Sequence, residues 1–212
     1  MHIPDGFLDF KTWSTLSAAS LAAGALSVAR TRAQLEEKQV PVMGVMAAFV
    51  FAAQMINVPV AGGTSGHFMG AALVMMLLGP FAGFLVMSAV LIVQCFMFQD
   101  GGLTALGANI FNMAIVGGWG SWLLLRALEK LKVSRLVTAF LAGWFSMVLA
   151  SVVAALELAL SGTAPLGVVL PAMAGIHCII GILEGAVTAF TLGFILKVRP
   201  DLARASAGEA PQ

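Results

Sequence analysis

Residues 136–160, LVTAFLAGWFSMVLASVVAALELAL, contain a single ionisable side chain, Glu157. As a helix this stretch would be roughly 38 Å long, enough to cross the ~30 Å hydrocarbon layer of a bilayer. The pattern recurs along the chain. Of 212 residues, 60% are hydrophobic and only 10% charged, with a mean hydropathy of +0.99. Soluble domains carry about 25% charged residues, so the composition is that of a membrane-integral protein. A net charge of +1 offers no basic surface for nucleic acid. Cys95 and Cys178 lie singly in apolar runs and read as buried thiols.

Seven apolar runs are separated by polar ones. The expected spans cover 13–29, 40–56, 70–78, 81–98, 105–125, 136–160 and 168–196. Gly79-Pro80 divides the third from the fourth, because proline cannot continue a helix interior. Asn109, Asn112 and the Gly117-Gly118 pair interrupt the fifth. The fold expected is therefore an all-α polytopic bundle, one domain over 1–212. Residues 1–12 form a separate N-terminal segment, and 197–212 a flexible tail.

Charge sets an orientation. Of the eleven Lys and Arg, all but Lys11 fall after span one, after span five or after span seven. With seven spans these places share one side, which the positive-inside rule makes cytoplasmic. The N-terminus is then outside and the C-terminus cytoplasmic. The loops at 57–67, 98–104 and 160–167 also face outward, and the chain is a multi-pass protein of a prokaryotic cell (inner) membrane. No signal peptide is expected, since MHIPDGFLDF (1–10) has no basic leader. Histidine at position 2 is large enough to keep Met1 in place with a free amine.

A free Met-His terminus is a chelator. The α-amine, the His2 amide nitrogen and the His2 imidazole Nδ1 are linked by short chelate rings and fall in one plane. Square-planar nitrogen donors favour Ni(II) or Cu(II) over tetrahedral Zn(II), and Co(II) follows with further ligands. The donors bind deprotonated, so affinity falls in acid. His67, in AGGTSGHFMG (61–70), is the candidate fourth nitrogen on the same outer side.

MHIPDGFLD together with the Gly/Ser/Thr loop ending GHFMG resembles the CbiM/NikM family over nearly the whole chain. These are substrate-specific (S) subunits of energy-coupling-factor transporters for nickel and cobalt. The resemblance implies Met1 (amine), His2 (amide and imidazole) and His67 (imidazole) as metal ligands, with the N-terminal segment tucked into the bundle. It also implies a membrane-embedded coupling (T) subunit, separate cytoplasmic ATPase (A) subunits, and in some systems a small accessory membrane subunit. Relatives often carry Glu where this chain has Asp5. That carboxylate either fixes the tautomer of a ligand imidazole or caps the Pro4-Asp5-Gly6 turn.

Other polar residues have two readings each. His177 and Glu184, seven apart on one helical face, read as a proton relay or metal path, or as a hydrogen-bonding pair that locks the bundle. Glu157 reads as interfacial. Gln54, Asn57, Gln94, Asn109 and Asn112 read as support for the metal or as glue between helices. The alanines at four-residue spacing in span one, such as Ala18 and Ala22 or Ala25 and Ala29, serve docking or internal packing. The methionines read as core filler. There is no P-loop, no HExxH and no nucleophile constellation, so a transport subunit is expected rather than an enzyme. One rival is an organic-solute transporter using His67 and Glu184. The other is a membrane metalloenzyme centred on His177 and Glu184.

Overall fold

A computed structural model describes residues 2–34, 39–60 and 64–199. The elements are α1 (Phe10–Gln34), α2 (Gln39–Gln54), β1 (Asn57–Val60), β2 (Thr64–His67), α3 (Ala71–Phe98), α4 (Leu106–Ile110), a π-helical segment (Phe111–Trp119), α5 (Gly120–Lys130), α6 (Arg135–Leu160) and α7 (Leu166–Val198). Strands β1 and β2 make one antiparallel hairpin that pairs Asn57 with His67. Every other regular element among the described residues is helical.

Among the described residues, four helical stretches have the length and composition to cross a membrane: Ala71–Phe98, which is divided at Gly79-Pro80, Leu106–Lys130, Arg135–Leu160 and Leu166–Val198. The bundle's perimeter is apolar, with Leu21, Leu123, Ile179 and Phe190 exposing 71–77% of their surface. Such side chains on the outside of a well-packed bundle suit hydrocarbon rather than water. The core is rich in methionine, as expected: Met69, Met87, Met113 and Met147 are fully buried.

The break at Gly79-Pro80 is sharper than a kink. Gly79 has φ +79° and ψ 174°, a conformation that only glycine adopts without strain. A Cβ on Gly83 would lie 3.4 Å from the Met75 Cα, yet residues eight apart in a continuous helix are separated by ~12 Å. The chain therefore doubles back at Gly79-Pro80. The expected third and fourth spans are the two arms of α3, lying against each other. Trp119 holds the turn by donating from Nε1 to the Pro80 carbonyl at 2.8 Å.

Two expected boundaries shift. The charged stretch RALEK after residue 125 continues the helix to Lys130, since Arg, Ala, Leu, Glu and Lys are all good helix formers. Arg126 lies over the Trp122 ring, 4.8 Å from its centroid. At the other boundary, α1 runs on to Gln34, into the expected loop. The tail beyond Arg199 lies outside the described residues, as do 35–38.

The outer loops of the sequence reading gather at one end. Phe7, Asp9, Ser161 and Thr163 meet there: the Thr163 hydroxyl donates to the Phe7 carbonyl, and the Ser161 hydroxyl to Asp9 Oδ1. Ile3 and Leu8 share a small apolar cluster with Ala108, Leu158 and Met173. Leu192, roughly 28 Å further along α7, lines a cleft with Arg126 and Arg135 at the opposite end.

Helices α6 and α7 approach most closely through glycine. A Cβ on Gly185 would sit 2.5 Å from the Phe140 carbonyl oxygen, while Gly175 in the same helix has open space. Gly185→Ala should therefore cost about 1–3 kcal/mol by forcing the helices apart. It is expected to lower the thermal midpoint in detergent by several degrees, with Gly175→Ala unchanged or slightly raised. Equal midpoints for the two variants would contradict this packing.

Candidate metal centre

The N-terminal segment is tied down at Ile3. Its amide donates to Asn109 Oδ1 at 2.8 Å, and its carbonyl accepts from Asn109 Nδ2 at 3.1 Å and from the Gly102 amide at 2.9 Å. The Asn109 side chain thus pairs with the Ile3 backbone as a neighbouring strand would. Asn109 is 3% exposed and sits just before the π-helical segment. Such wide turns recur at functional sites. Two residues further on, Asp5 accepts from the Leu103 amide (3.0 Å), the Thr104 amide (2.7 Å) and the Thr104 hydroxyl (2.5 Å). The Thr104 bonds hold the Asp5 carboxyl below its usual pKa. Asp5 is therefore a turn anchor, and its carboxylate bonds to neither His2 nor His67.

This anchoring delivers His2 to His67. Their ring centroids are 4.8 Å apart at an interplanar angle of 72°. The His2 side chain is 2% exposed and His67 is 3% exposed. His67 Nδ1 lies 2.8 Å from the Phe68 carbonyl oxygen. That contact puts the proton on Nδ1 and leaves a lone pair on Nε2, and the buried Nε2 has no hydrogen-bond partner. His2 Nε2 is likewise buried without a partner. His2 Nδ1 is 2.9 Å from Asp100 Oδ1, off the line of a well-formed hydrogen bond. Burial lowers the pKa of both imidazoles, His67 well below the usual value. Two neutral, largely buried rings with unpaired nitrogens suit a cation with nitrogen preference. Met1 lies outside the described residues.

The loop carrying His67 is clamped from below. Glu184 on α7 accepts from the Met69 amide through Oε2 at 2.7 Å and from the Gly70 amide through Oε1 at 2.8 Å. Gln54 at the end of α2 donates from Nε2 to the Met69 carbonyl at 2.7 Å. Gly70 has φ +76°, and a Cβ there would meet Val50 Cγ2 at 2.8 Å, so the turn after His67 has room for glycine alone.

Glu184 does not pair with His177, as the sequence reading allowed. His177 Nδ1 lies 2.7 Å from the Met173 carbonyl of its own helix, and both Glu184 oxygens are taken by the loop. Glu157, three residues from the end of α6, is not solvent-facing. It is 4% exposed and accepts from Asn112 Nδ2 at 2.6 Å, because α6 carries it inward against the π-helical segment. Periodicity puts such residues on a face but cannot say that the partner is loop backbone. Asp100 escaped the sequence reading altogether, although its place in the QDGG turn (99–102), on the same side as His2 and His67, was the available signal.

Residues 2–202 match the model of CbiM, the cobalt uptake substrate-specific transmembrane region. The chain belongs to the CbiM family. It is 44% identical over 204 residues to a putative fused nickel transport protein NikMN of Archaeoglobus fulgidus, covering 95% of this chain and 68% of that protein. It is 35% identical over 164 residues to the cobalt transport protein CbiM of Lachnoclostridium phytofermentans, covering 76% and 65% respectively. A crystal structure of a truncated transition metal transporter superposes with a TM-score of 0.89 at 31% identity, over 93% of this chain and 99% of that one. This CbiM-family chain is thus a nickel/cobalt transport-family protein of the cell membrane.

Glu184→Gln replaces one of the two acceptors with a donor that faces an N–H, and should cost about 2 kcal/mol. Amide exchange at Met69 and Gly70 should speed up at least tenfold in the variant, while exchange in α6 stays slow. Unchanged protection at both amides would show that Glu184 does not hold the loop.

Proposed function

We propose that this chain is the substrate-specific subunit of an energy-coupling-factor importer, and that it captures Ni(II), or Co(II), through the Met1 amine, the His2 amide and imidazole, and His67. The observation that carries the reading is the convergence of two buried, neutral imidazoles with unpaired nitrogens. It is supported by relatives described as nickel and cobalt transport proteins. The amine and amide complete a planar nitrogen set, which suits Ni(II). His67 Nε2 supplies the fourth donor, with its tautomer fixed by the Phe68 carbonyl. The metal here is cargo, and its binding needs no organic cofactor.

In this reading the chain crosses the membrane seven times, the two arms of α3 counting separately. The N-terminus and the His67 loop lie outside, and the basic end near Arg126 and Arg135 is cytoplasmic. ATP hydrolysis belongs to separate A subunits, coupled through a membrane-embedded T subunit, and a small accessory membrane subunit completes some such systems. Ala18, Ala22, Ala25 and Ala29 are exposed along one face of α1, a surface suited to close helix docking on the T subunit. The metalloenzyme alternative is disfavoured because the Glu184 carboxylate is wholly engaged by backbone amides. The organic-solute alternative relies on Glu184, whose two oxygens are already taken, and gives His2 no role.

Adding one residue before Met1 moves the amine but keeps every side chain. Nickel affinity, measured by calorimetry on purified protein, should fall by at least about 100-fold, and His67→Ala should fall similarly. Wild-type affinity in the extended protein would exclude the amine chelate. His177→Ala should leave nickel binding within a few-fold of wild type.

A further inference from the structure

A cleft of ≈ 600 Å³ opens at the loop end, lined by His2, Asp5, Cys95, Gln99 and Asp100 among others. It is where the otherwise buried His2 ring meets open space. Its two carboxylates are not equivalent. Asp5 is spent on Leu103 and Thr104. The Asp100 carboxylate is 28% exposed and 2.9 Å from His2 Nδ1, and no other described group binds it. Its position is fixed rather than floppy. The Asp100 amide donates to the Gln94 carbonyl at the end of α3 at 3.1 Å, and the next residues pack directly on Asn109 and Asp5. A second observation points the same way: the His2 ring, with an unpartnered Nε2, is almost fully buried behind this carboxylate.

We infer that Asp100 is a first-capture site: it takes hold of the hydrated divalent cation in the cleft and passes it to the His2 nitrogens. The inference rests on the metal-capture reading above and adds a route to it. A carboxylate oxygen holds a hydrated divalent cation by taking the place of one of its waters, the others staying bound. A negative charge at the mouth of a low-dielectric cleft also raises the local cation concentration. Nitrogen donors then win the cation, because they suit Ni(II) better than a single oxygen does. At 2.9 Å from the chelating nitrogen, Asp100 needs no large movement to hand the ion on. Arrival of the metal at Nδ1 also replaces the Asp100 contact there. Asp100 is therefore absent from the final planar set and acts on the rate of filling.

The test is stopped-flow binding of Ni²⁺ to purified wild type, Asp100→Asn and Asp100→Glu, with dissociation measured by chelator chase. Asp100→Asn should slow association about tenfold and leave dissociation within twofold, so that affinity falls by the association ratio alone. Asp100→Glu should recover most of the association rate. Wild-type association should fall more steeply with salt than that of Asp100→Asn. An unchanged association rate in Asp100→Asn would overturn the inference. So would faster dissociation at wild-type association, which would instead make Asp100 a positioning residue for the imidazole. Wild-type protein that binds no nickel would overturn the transport reading itself, and this inference with it.

Discussion

The pairing of the Asn109 side chain with the Ile3 backbone is the contact on which the site depends. An N-terminal segment of a membrane protein is free to fray unless something holds it. Here a buried carboxamide satisfies both the amide and the carbonyl of one residue. Asp5 and Thr163 then fix the segment on either side of its turn. The result is that the His2 side chain lies 2% exposed beside a histidine sixty-five positions later. Without that anchor, His2 would have no fixed position relative to His67.

The partner loop is fixed by a different device. Glu184 and Gln54 reach it from α7 and α2 and bind its backbone rather than its side chains. His67 is thereby tied to two helices. A carboxylate buried in an apolar bundle is costly unless its oxygens are satisfied, and both are. The arrangement links the position of His67 mechanically to α7, the helix that also reaches the basic cleft through Leu192.

Much of this was legible in the sequence. Composition gave the membrane class, and the Gly79-Pro80 break is present as a reversal of the chain. His2 and His67, singled out in the sequence, stand side by side with their ring centroids 4.8 Å apart. What stayed hidden depends on long-range backbone contacts. Glu184 and His177 share a helical face, yet they turn to different partners: a loop more than a hundred residues earlier and their own helix. Asp5 looked equally fit to orient an imidazole or cap a turn, and only the position of Thr104 decides for the turn. The charged run after residue 125 looked like a loop because it is polar, whereas its helix propensity prevailed.

The central claim is that the amine end of the chain and His67 together present a planar set of nitrogens. Nickel K-edge absorption spectroscopy of the nickel-loaded wild type tests it most directly. The account predicts a four-coordinate, all-nitrogen planar site. A six-coordinate, oxygen-rich shell would contradict it.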